Sequence, residues 1–264
     1  MRRIASPPLA EMTMETSRTR RQTQAMRASI LSVGRWLLEV GSTFCAMCGF
    51  RIEHLNLSWV LGGVASFALY ASERGNVAMT LAHFSSALVF YYVGNTLILT
   101  STLPARLVRR YGEEDAFRIY ETVLGLMFFN IILAAGAMSA FDLGPSMAWP
   151  IPVIPTYALG GLLIGTGLVT KLWSTAVVGI DIYYYRDMFL GRKVSDFVSS
   201  GPYTVFPNPM YGIGQLHGYG FALLSRSVPG LIAVVVCQTL IFVFCLVVEK
   251  PFVRRTYFSP AVPV

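Results

Sequence analysis

The chain has 264 residues, of which 54% are hydrophobic and 13% charged, about half the charged share of an average soluble domain. That leaves too few charges to coat a soluble core of this size, so an integral membrane protein of one domain is expected. The formal net charge of +7 sits in clusters between apolar runs. That pattern argues against a nucleic-acid groove and for membrane topology and anionic headgroups.

Residues 1–27 are polar and basic, with Arg2, Arg3, Arg18, Arg20, Arg21 and Arg27. They lack the apolar core and cleavage site of a secretory signal, and predict a disordered basic cytosolic tail. Residues 28–54 are moderately apolar but carry Arg35 and Glu39, which predicts an interfacial helix rather than a span. The membrane domain is placed at 55–264. Its apolar runs are 55–71, 76–99, 116–140, 153–179, a short run at 211–224, and 231–248. A helical crossing needs roughly 17–25 residues. The expected fold is therefore all-α and polytopic with about six transmembrane helices, the fifth tilted or partly re-entrant.

Lys and Arg alternate between connections. Arg106, Arg109 and Arg110 follow the second run, Arg186, Arg192 and Lys193 the fourth, and Lys250, Arg254 and Arg255 the last. The odd connections hold Arg74, no basic residue, and Arg226. This places both termini in the cytoplasm and lets Lys171 snorkel to that face. Glu121, Asp187, the polar stretch 183–209 and Glu249 then gather on the cytosolic side, where intramembrane ionisable residues are functional candidates by default.

Each candidate has a purely structural reading beside it. Glu249 is equally an interfacial carboxylate paired with a neighbouring base, Asp187 the solvated end of a span, and His217 a hydrogen-bonded helix residue. Asn208-Pro209 is a turn that launches a helix. Gly165-Thr166-Gly167, like the glycines at 212, 214, 218 and 220, suits close helix packing as well as a ligand. Cys45 and Cys48 form a C-x-x-C with only His54 near, which reads as two small apolar residues rather than a metal site. Three scattered histidines make no metal cage, and neither G-x-S-x-G nor a Rossmann glycine pattern opens a strand–helix unit. The residues alone give a polar pocket on one membrane face and no reaction.

Asn208-Pro209-Met210-Tyr211 followed by Glu249-Lys250-Pro251-Phe252 resembles the C-terminal signature of the phospholipid N-methyltransferases. In that family N-P-M-Y is followed by an apolar helix pair and E-E-P-F. The resemblance is firm over 201–257 and extends loosely back to 153. It implies S-adenosylmethionine as methyl donor, bound within 153–257 without a Rossmann fold, and a phospholipid substrate drawn from the bilayer. Phosphatidylethanolamine and/or its mono- and dimethyl derivatives would be methylated toward phosphatidylcholine, with an endoplasmic reticulum membrane expected by analogy and a bacterial inner membrane fitting the same residues. The cofactor residues it implies are Gly165, Gly167, Tyr203, Asn208, Pro209, Tyr211 and Glu249, with Glu121, Asp187 and His217 as candidate bases. The family's second Glu is Lys250 here, assigned to the substrate headgroup phosphate. The related isoprenylcysteine carboxyl methyltransferases carry R-H before the Pro, whereas this chain has Pro207-Asn208. A non-catalytic membrane carrier or scaffold is the remaining alternative. The sequence leaves the oligomeric state open.

Overall fold

A computed structural model describes residues 32, 34–73, 75–141 and 149–258. The tail expected at 1–27, Arg74 and most of the connection after the third apolar run lie outside the described residues. The chain divides into two units, Met1–Ser42 and Thr43–Val264. The described residues of the first, 32 and 34–42, are helical, and the scaffold and the site belong to the second.

The second unit is all-helical among its described residues. Its main helices are α1 (Leu57–Ser72), α2 (Val77–Thr100), α3 (Leu103–Tyr111), α4 (Glu113–Ser139), α5 (Val153–Val178), α6 (Leu216–Leu224) and α7 (Val228–Phe258). Local chemistry sets their ends. Asn56 and Asn76 cap α1 and α2 by accepting from the amides of Trp59 and Met79, at 2.9 and 3.0 Å, as N-cap side chains do. Gly112, at φ 81°, opens α4, and Glu113, Glu114 and Asp115 follow in its positive first turn. Ser227 caps α7 through the amide of Gly230, with Pro229 in the first turn, where its missing N–H costs nothing.

Four helices among the described residues are long and apolar enough to cross a membrane: α2, α4, α5 and α7. This is a polytopic integral membrane protein. Two of the six expected crossings differ from the rest. The first is α1, a shorter apolar helix of 16 residues. The fifth, expected at 211–224, is short, and the stretch before it is kept from continuing the helix by Pro202, Pro207 and Pro209, which lack the N–H a continuous helix needs. Together they consist of 3-10 turns at Gly201–Thr204 and Ile213–Gln215 and the nine-residue α6. This segment runs antiparallel along α5, with Gly201 beside Trp173 and Val177, Gly214 beside Lys171, His217 beside Gly167, and Gly220 beside Gly160. The two backbones meet so closely that a Cβ on Gly167 would lie 2.2 Å from the His217 amide nitrogen, and one on Gly220 2.5 Å from the Gly160 carbonyl oxygen. Small residues permit that approach between membrane helices.

The core lies around α4. Tyr120, Leu124 and Phe128 pack with Tyr184, Phe189 and Phe244. Within the second unit, Ala46 and Met47 are buried, and their carbonyls accept from the hydroxyls of Tyr184 and Tyr183. Gly49 sits against Gly125 of α4, where its φ of +96° and a Cβ 2.2 Å from the Gly125 oxygen both require glycine.

Candidate functional site

The C-terminal segment folds a Pro-rich turn onto the end of α7. Pro209 is fully buried, and the turn closes through Gly212 N to Asn208 O at 2.9 Å and Gly214 N to Pro209 O at 2.7 Å. Gln238, the one amide in the apolar run of α7, holds the turn in place. Its Nε2 donates to the carbonyls of Tyr211 and Gly212 at 3.1 and 3.3 Å, and its Oε1 accepts from the Tyr219 hydroxyl at 2.6 Å. A lone amide in so apolar a helix finds partners because leaving it unpaired is costly. The turn thereby presents Tyr211 to Glu249, whose Oε2 accepts from the phenol at 2.9 Å. Cys245 lies one turn back, with its sulfur 4.0 Å from the side-chain oxygen of Asn208. Glu249 closes a π-helical turn, Cys245–Glu249, a wide turn that recurs at functional sites. Tyr203 stands nearby; burial pushes its phenol above the usual range, and the negative charge of Glu249 adds to the shift.

Glu249 has no ion pair among the described residues. Its hydrogen-bond partners are a neutral phenol and, more weakly, the Cys245 thiol. A half-buried carboxylate in that position is a seat for a cation, and the tyrosines around it offer aromatic faces that suit one.

Residues 155–259 match the phospholipid methyltransferase family. A phosphatidylethanolamine N-methyltransferase of Pyricularia oryzae is 26% identical over 173 residues, 62% of this chain and 18% of its own length. The enzyme of that name from Schizosaccharomyces japonicus is 36% identical over 100 residues, covering 38% of this chain and 11% of its own. That of Clavispora lusitaniae is 32% identical over 104 residues, with 39% and 12% covered. The similarity to the phospholipid methyltransferase family lies in the C-terminal part of this chain. The chain spans less than a fifth of the length of these relatives, and no solved structure matches it.

Within the matched segment, Tyr203, Asn208, Pro209, Tyr211 and Glu249 come together as described. Gly167 and His217 touch each other one helical layer away, and Gly214 links them to the turn. His217 Nδ1 lies 2.6 Å from the Gly214 carbonyl. A carbonyl only accepts, so Nδ1 carries the proton and Nε2 keeps its lone pair. Lys171 sits on α5 against the same turn: its Cβ is 3.3 Å from where a Gly214 Cβ would stand. It takes part in no ion pair among the described residues. Gly165 is exposed, on the face of α5 that also exposes Leu162 and Val169, with nothing within 4 Å of its Cβ position. No contact here joins it to Glu249.

The two other carboxylates are committed elsewhere. Glu121 is buried on α4, paired with Arg51 and with His54 Nδ1 at 2.7 Å. Arg51 also donates to Asp181 at 2.7 Å, and Arg186 donates to the other oxygen of Asp181 at 2.7 Å while reaching Glu114. Burial alone would raise Asp181, but hydrogen bonds from Arg186 and Arg51 outweigh it and hold the carboxyl below its ordinary value. Asp187 accepts from the amides of Val194 and Ser195, both at 3.2 Å, from the Ser195 hydroxyl at 3.3 Å, and from the Tyr257 phenol. It ties the 194–195 loop to the end of α7. No hydrogen bond or ion pair among the described residues links Glu121 or Asp187 to Glu249.

Lys250 is exposed, about 100° round the helix from Glu249. Sequence reasoning had no hold on Gln238, Cys245 or Lys171 as neighbours of the turn. The signal that would have found Gln238 is its isolation in the run 231–248. Cys45 and Cys48 are free thiols, half-buried, and no group of metal-ligating residues forms among the described residues.

Proposed function

We propose that this chain transfers a methyl group from S-adenosylmethionine to the amine of phosphatidylethanolamine, of its mono- and dimethyl derivatives, or of both. The observation that carries the reading is Glu249, a carboxylate without a paired cation, presented to Tyr211 by the Asn208–Tyr211 turn. The residues fit the methyl donor by their chemistry. Glu249 suits its ammonium, the faces of Tyr203 and Tyr211 suit its sulfonium, and Lys171 against the same turn suits its carboxylate. When bound, the donor supplies an activated methyl group on sulfur for in-line displacement by the lipid amine.

The chain's part is to hold that amine near the methyl carbon, at roughly 3–3.5 Å, and to take a proton from it, since an ethanolamine headgroup is mostly ammonium at neutral pH. Of the three candidate bases, His217 is the one with an unshared pair free for this, at Nε2. Glu121 and Asp187 act as braces in this reading. Gly167 contributes by letting α6 seat against α5, and Gly165 is kept as a cofactor residue on the family pattern alone. Lys250 is assigned to a lipid phosphate. The cytosolic placement of both termini and an endoplasmic reticulum membrane complete the proposal, the first resting on the alternation of basic connections and the second on analogy with the family alone.

The test supplies labelled S-adenosylmethionine with phosphatidylethanolamine, each methylated derivative in turn, and a prenylcysteine analogue, to purified protein in mixed micelles. Label in a phospholipid, lost in Glu249→Ala, is the expected result. Label only in the prenylcysteine moves the chain to the sister family, and no label with no donor binding by calorimetry sinks the enzyme reading.

A further inference from the structure

The end of α7 carries a second feature that the methyl-transfer chemistry does not use. Leu246, Lys250, Pro251, Arg254 and Arg255 line a groove of about 600 Å³ on the outside of the helix, within the size range of small-ligand sites. Three of its five lining residues are cationic and none is acidic. Lys250, Arg254 and Arg255 are all exposed. Arg255 is oriented by its Nε, which donates to the Pro251 carbonyl at 3.3 Å. Below the cations, Leu246 and Val247 are exposed, at 56% and 66%, and Val243 continues the same apolar surface toward the middle of the span. The groove therefore has a cationic mouth at the end of the apolar run and an apolar floor that leads into the bilayer.

We propose that this groove binds an anionic phospholipid, distinct from the amine-bearing substrate, with its phosphate held by Lys250, Arg254 and Arg255 and an acyl chain lying along Leu246. The phosphate fits because guanidinium groups match its oxygens in bidentate geometry and an ammonium adds a point charge. The depth fits because basic clusters at the end of a membrane helix recognise anionic headgroups. The zwitterionic substrate fits poorly: its own ammonium would lie among three cations. The carboxylate assigned to the donor also lies on another face of the helix, since Glu249 turns inward to Tyr211 while Lys250, about 100° round, is exposed. This inference deepens the proposed function by giving Lys250 a different lipid from the one being methylated. It explains how a cation is tolerated where the family pattern has a second Glu: the side chain does not enter the donor site.

The experiment reads binding and does not depend on turnover. The full chain is placed in phosphatidylcholine nanodiscs with phosphatidylglycerol that carries a photoactivatable group on an acyl chain. After illumination, labelled peptides are mapped by mass spectrometry. The expected result is labelling within 246–255 that unlabelled phosphatidylglycerol competes away, and that falls about tenfold in Arg254→Gln/Arg255→Gln. Glu249→Ala should label normally, so a failure of the methyl-transfer reading leaves this result standing. Competition by phosphatidylethanolamine as strong as by phosphatidylglycerol would hand the groove to the substrate and overturn the proposal. Labelling that the double variant leaves unchanged would reduce the groove to passive lipid contact and overturn it as well.

Discussion

Two regions of this molecule bury carboxylates, and they treat them in opposite ways. On the N-terminal side each acid has a base. Glu121 has Arg51 and His54, Asp181 has Arg51 and Arg186, and Glu73 pairs with His83, which lies 3.1 Å from Asn130 through its other ring nitrogen. On the C-terminal side Glu249 has only a phenol and a thiol. A compensated acid braces helices, while an uncompensated one costs stability unless a cation arrives. The difference separates the ion-paired braces from Glu249; Asp187, also buried without a base, is satisfied instead by two amides and two hydroxyls.

The comparison breaks first at Glu249. Replacing it with Ala should lower methyl transfer about 100-fold or more and remove donor binding by calorimetry, while the melting temperature holds or rises. Glu121→Gln should do the reverse. It strips Arg51 and His54 of a buried partner, at a cost of about 3 kcal/mol, seen as a lower thermal midpoint in detergent with donor affinity unchanged. If Glu121→Gln spares stability and abolishes turnover, the division into brace and site is wrong and Glu121 returns as a base.

The sequence displayed the spans at 76–99, 116–140 and 153–179 plainly, because an uninterrupted apolar run of that length has few alternatives. It displayed the site's local part as well: Asn208-Pro209-Met210-Tyr211 and Glu249 are 38 residues apart between Tyr211 and its acceptor, yet a motif pair names both. What it hid is pairing across the bundle. Nothing in a linear reading says that Arg51 reaches Glu121, 70 residues on, so Glu121 read as a free acid and a candidate base. The same blindness covers Asp187, whose acceptor sites are filled by two amides and two hydroxyls from loops and from the chain's end. The broken fifth segment was half legible. Its prolines and glycines announced irregularity, but only the contacts with α5 show that it follows that helix from Val177 to Gly160.

The two glycines of Gly165-Thr166-Gly167 sharpen the contrast at smaller amplitude. Gly167→Ala drives a methyl group into the His217 backbone, and overpacking of that kind costs about 1–3 kcal/mol. The expected result is a lowered thermal midpoint and weaker donor binding together, since the turn carrying Tyr211 is displaced with α6. Gly165→Ala meets open space and should leave the midpoint unmoved. If Gly165→Ala nevertheless weakens donor binding several-fold, the family's cofactor role for Gly165 holds, and the donor reaches the outer face of α5.

The smallest effect is a pH limit set by the braced region. Asp181 is held below its ordinary value, so it binds a proton more readily unfolded than folded. The sign follows: its contribution to stability is present above the unfolded pKa and is lost as pH falls through the lower, folded one. Arg51 and Arg186 are raised above an already high ordinary value, because their acid partners outweigh the burial that opposes them, and they stay charged throughout this window. Stability in detergent should therefore be flat through neutral pH and decline only in the acid range below the ordinary aspartate value of 3.8. Asp181→Asn should start lower and lose part of that acid limb. An acid limb identical in the variant and the parent would mean that Asp181 spans Arg51 and Arg186 without stabilising the fold, and would leave Glu121 as the brace that matters.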